Sequence, residues 1–73
     1  MNSHIKNLYT KRNHKLIQLH AKEKKQFLLE QHVLEHPTDY TSVISNEILK
    51  SDIKRIEYSI KELDKQMELY AHD

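Results

Sequence analysis

From Leu49 to Tyr70 the apolar residues Leu49, Ile53, Ile56, Ile60, Leu63, Met67 and Tyr70 recur at alternating steps of four and three. That spacing places all of them on one stripe of an α-helix, and a stripe of that kind must be covered by a second helix. The same seam serves a bundle core, a dimer or a partner's groove, so it fixes architecture and names no substrate.

Turn chemistry narrows the fold further. The chain of 73 residues has no glycine and one proline, where average usage of about 7% glycine gives roughly five in a chain of this length. Tight β-hairpins lose their usual turn residues. A third of the residues are charged, and Leu, Ile, Lys, Glu and Gln, all compatible with helices, are abundant. The expected fold is all-α: an antiparallel two-helix hairpin, coiled-coil-like, forming one domain over residues 1 to 73. Pro37 pushes the residue before it out of the α region. The first helix therefore runs from about 3 to 36, the turn covers 37 to 40, and the second helix runs from about 41 to 71. Thr38, Asp39, Thr41 and Ser42 all offer capping oxygens at its start, and the sequence does not choose among them.

The two halves carry complementary charge. Residues 1 to 36 hold seven Lys/Arg against three Glu, and residues 37 to 73 hold five against eight Asp/Glu. Projected at about 100° per residue, the first helix collects Ile5, Leu8, Tyr9, Leu16, Leu19, Phe27, Val33 and Leu34 on one face, with Arg12, Glu23 and Glu30 inside it. Charges in such places need partners. Folding about residue 38 sets Arg12 beside Asp64 and Glu23 beside Lys54 or Arg55, and both pairs are expected.

On the same projection Tyr40, Val43 and Ile44 lie well away from the Leu49 to Tyr70 stripe. Either the second helix kinks near Ser51-Asp52, or the Tyr40, Ile44 and Ile48 side packs against another chain, with Tyr58 and Leu69 extending that surface, or it is a patch for a different protein. A chain this short buries little area alone, which favours a homo-oligomer such as a four-helix bundle.

Several classes of function lose ground. There is no cysteine, hence no disulfide framework, and the longest apolar run is Phe27-Leu28-Leu29, too short for a membrane span or a signal peptide core. A cytoplasmic protein with no membrane association is expected. His32-Val33-Leu34-Glu35-His36 matches the H-x-x-E-H zinc-peptidase pattern, but it ends at a proline and lacks a third ligand, so neither metal nor cofactor is expected. His4, His14 and His72 are scattered, and His20, beside the apolar face, is expected to hydrogen-bond across the hairpin. No nucleophile elbow or phosphate-cradling loop is present, and enzymatic activity is not expected.

Lys11, Lys15, Lys22 and Lys25 project along one side of the first helix, and such a ridge can follow phosphates. Nucleic acid is therefore the alternative partner to the favoured one, another protein bound through Tyr40, Ile44, Ile48, Tyr58 and Leu69 by a small regulator or adaptor. The stretch Ser59-Ile60-Lys61-Glu62-Leu63-Asp64-Lys65-Gln66-Met67 is similar to the S-Q-E-L-D-x-x-I signature of the small two-helix aspartyl-phosphate phosphatases that act on sporulation response regulators. It carries one extra residue between Ser59 and Glu62 and no glutamine before the glutamate, which turns Ser59 about 100° from its expected face. The resemblance implies that Asp64 reaches into a partner's acyl-phosphate pocket; read as a heptad edge, Asp64 instead pairs with Arg12.

Overall fold

The computed structural model describes residues 3–71. His72 lies outside them. Helix α1 spans Ser3–Glu35 and helix α2 spans Tyr40–Ala71, packed against each other as an antiparallel hairpin. The body measures 54 × 14 × 13 Å, two rods side by side, and among the described residues there is no strand.

The turn shows why the chain reverses where it does. His36 closes the last turn of α1, its N–H donating to His32 O at 2.8 Å, and Asp39 N–H then donates to His36 O at 3.0 Å. Of the four capping residues, Asp39 is the one used. Its Oδ1 accepts from Ser42 N–H at 3.2 Å and its Oδ2 from Ser42 Oγ–H at 2.7 Å. The first of these satisfies an otherwise orphaned backbone N–H of the first turn of α2. His32 Nε2 contacts the same Asp39 Oδ2 at 2.9 Å, tying the end of α1 to the start of α2. These bonds hold the Asp39 carboxyl down at about 2, the His32 contact being the largest cause and the two Ser42 bonds the next.

The seam follows a strict heptad on both helices. On α1 the heptad positions Ile5, Leu8, Arg12, Lys15, Leu19, Lys22, Gln26, Leu29 and Val33 are covered, with Leu16 and Glu30 half-buried beside them; on α2 they are Ser42, Asn46, Leu49, Ile53, Ile56, Ile60, Leu63 and Met67, flanked by the half-buried Val43, Lys50, Asp52, Ser59 and Glu62. Leu8, Leu49, Ile53, Ile56 and Ile60 form the buried core. Tyr70, expected at the end of the covered stripe, is instead exposed, its ring meeting the His4 ring edge-on at 4.6 Å at the open end of the hairpin.

One expectation needs correction. Tyr9, Phe27 and Leu34 are exposed rather than inside. Tyr9 stands one residue beyond the seam position of Leu8; along α1 a projection at 100° drifts by about 20° per heptad against a 3.5-residue seam, so at its far end Gln26 and Leu29 join Val33 on the inner edge and Phe27 and Leu34 fall outside it. Of the alternatives for the Tyr40 and Ile44 side, a break at Ser51-Asp52 is not the one realised, since the second helix is continuous through those residues and Tyr40 and Ile44 remain exposed.

Candidate functional site: the two lateral faces

A hairpin of two helices has two lateral faces, each showing the groove between the rods. The first is basic. Lys11 and Lys15 line a groove of about 420 Å³ with His14, Tyr58, Glu62 and Leu63. Farther toward the turn, Lys22 and Lys25 line one of about 240 Å³ with Leu29, Ile48 and Asp52. All four lysines of the expected ridge thus share one face. Lys22 Nζ lies 3.7 Å from Asp52 Oδ2, which anchors one of the four to α2. Tyr58 stands exposed in the same groove as Lys11 and Lys15, an aromatic beside the basic ridge that the sequence did not reveal because the two lie on different helices.

The second face is of mixed charge. Gln26, Glu47, Lys50, Lys54 and Glu57 line a groove of about 490 Å³, and Glu30, Val33, Leu34, Val43, Asn46, Glu47 and Lys50 line an adjoining one of about 320 Å³ nearer the turn. Lys50 Nζ bridges Glu30 at 3.7 Å and Glu47 at 3.4 Å. Beneath them lies Asn46, 94% buried, whose Oδ1 has no hydrogen-bond donor in the hairpin.

Of the expected ion pairs, Arg12 and Asp64 meet, with Arg12 Nε donating to Asp64 Oδ1 at 2.6 Å. Glu23 does not reach Lys54 or Arg55. It stands one residue beyond the seam position held by Lys22, and Lys22 pairs across the basic face instead. His20 is exposed and makes no hydrogen bond across the hairpin, lying on the outer edge of α1 rather than at the seam.

Ser59 and Asp64 fall on opposite sides. Ser59 lines the basic groove, its Oγ donating to Arg55 O at 3.0 Å. Asp64 follows Lys50 and Glu57 at intervals of seven along the other edge of α2. At the turn, the His32 and His36 rings lie 4.7 Å apart, tilted by 39°, and His32 is engaged by Asp39. Among the described residues, no three His, Cys, Asp or Glu side chains gather as metal ligands, and no helix is long and apolar enough to cross a membrane.

The residues singled out for association, Tyr40, Ile44, Ile48, Tyr58 and Leu69, are all exposed, at 59 to 72%. Ile48 and Tyr58 border the basic groove, with Ile44 and Leu69 on the adjoining side of α2, the row interrupted by Arg55, Glu62 and Lys65. Comparisons with protein-family models, curated proteins and solved structures return no match.

Proposed function

We propose that the chain is a small non-enzymatic adaptor or regulator, cytoplasmic, that self-associates and binds another protein through its helical faces. One observation carries this reading: among the described residues, eleven large hydrophobic side chains are exposed while five are buried. Single exposed hydrophobics are ordinary, but a surface that carries more of them than the core does is what helix-in-groove contacts and bundle formation use. The lack of cysteine suits a reducing compartment. Affinity capture from the source cell, with nuclease treatment and with Ile48→Asp and Tyr58→Asp chains in parallel, tests it. A nuclease-resistant protein recovered by the wild type and lost with either variant supports the reading; recovery of nucleic acid alone overturns it.

The placement of Lys11, Lys15, Lys22 and Lys25 on one face beside Tyr58 favours a second reading, a nucleic-acid-binding hairpin. Phosphates pair with the lysines and a base stacks on the tyrosine. A gel shift at low salt with RNA and duplex DNA decides it, and no shift at tens of micromolar protein removes it.

A further inference from the structure

We infer that a second copy of the chain docks on the mixed-charge face around Leu34, Val43 and Asn46, with its two-fold axis parallel to the helices, so that Glu23 of each copy meets Lys54 of the other. This rests on the self-association proposed above and assigns it a surface.

Three observations converge on that face. Leu34, at 82% exposure, is the most exposed large hydrophobic side chain among the described residues; Phe27 lies two turns before it on the same edge of α1, and Tyr40 faces solvent just across the turn. Asn46 supplies the second observation. Its Oδ1 is a buried acceptor without a donor, on the floor of the groove that Leu34 and Val43 border. A buried acceptor left unpaired is costly, and the hairpin offers nothing to satisfy it. A buried Asn at a seam position is also a common device by which helical bundles select one register and one oligomeric state.

Charge supplies the third and identifies the occupant. In the observed register, residues whose numbers sum to about 76 stand level, as Arg12 and Asp64 do. Glu23 and Lys54 are therefore at one height, yet neither makes an ion pair within the hairpin. A two-fold axis along the helices lays α1 of one copy against α2 of the other and brings the two together twice per dimer. A rim of both signs, Glu30, Glu47 and Lys50, suits a self-complementary contact better than it suits a strongly charged partner. The face also has the required size. At 54 Å by about 13 Å it offers on the order of 700 Å² per copy, close to the roughly 800 Å² per partner of a stable interface.

The test uses two full-length variants, Glu23→Lys and Lys54→Glu, and sedimentation equilibrium. The wild type is expected to be a dimer at about 100 µM, and each variant alone to self-associate about tenfold or more weakly, because like charges now meet at both contacts. Mixed in equal amounts, the two variants are expected to form a heterodimer of wild-type affinity, an outcome that a contact within one chain cannot produce. Leu34→Asp, at an exposed position, is expected to abolish the dimer with helicity unchanged by circular dichroism. A dimer that survives these changes and is lost in Ile44→Asp overturns this face while leaving self-association standing. A monomeric wild type overturns both, and the capture experiment with Ile48→Asp and Tyr58→Asp still reports separately on a protein partner.

Discussion

Arg12 and Asp64 stand 52 residues apart in sequence and 2.6 Å apart in space, Nε to Oδ1. This contact, near the open end of the hairpin and far from the turn, records the register of the whole structure. Both side chains are partly exposed, so a double-mutant cycle with Arg12→Ala and Asp64→Ala is expected to give a coupling of about 0.2–1 kcal/mol in urea unfolding, shrinking as salt is added. A coupling of zero at low salt would mean that the pair does not form in solution.

Asp39 makes stability depend on acid. Its carboxyl sits at about 2 instead of 3.8, so its contribution is complete above the ordinary value and fades as pH falls toward 2 and the carboxylate takes up a proton. Thermal melts between pH 5 and pH 1.5 are expected to show this loss. Asp39→Asn keeps a capping side chain without the charge and is expected to flatten that part of the pH profile. A profile equally steep in Asp39→Asn contradicts the assignment.

Core and surface positions are expected to separate sharply. Ile60 is buried and Ile17 is exposed, so Ile60→Ala is expected to cost about 2–5 kcal/mol, whereas Ile17→Ala should stay within about 0.5 kcal/mol. Chemical denaturation measures both. Similar losses at the two sites would mean that the helices pack through a different face.

Asn46 is expected to respond in the opposite direction. At concentrations low enough that no second copy covers the groove, replacing it with leucine, Asn46→Leu, removes the unpaired acceptor and should raise the melting temperature. The same change removes the polar mark in the seam, so mixed oligomeric states are expected in sedimentation. A lower melting temperature would show that the amide is well satisfied in solution.

The stripe on α2 could be read from the sequence because one apolar set dominates it, and Leu49, Ile53, Ile56 and Ile60 are all buried as expected. The register followed from Pro37 and the charges. The inner edge of α1 was harder, for a physical reason: Arg12, Lys15, Lys22 and Gln26 occupy seam positions and reach out of it, while Tyr9, Phe27 and Leu34 compose a competing apolar edge outside. Asn46 carries no signal until the helices are paired, since only packing shows that its oxygen lacks a donor. The same holds for Tyr58 beside Lys11 and Lys15, a neighbourhood made by the hairpin and absent from either helix alone.

Among the described residues, no side chain is completely enclosed. Every residue of the core therefore keeps some edge in contact with solvent, and a molecule laid over the seam also covers those edges. Occupancy and thermal resistance then rise together by mass action, so a ligand screen for this chain can be run as a melting assay, with the chain's own concentration as the first variable to scan.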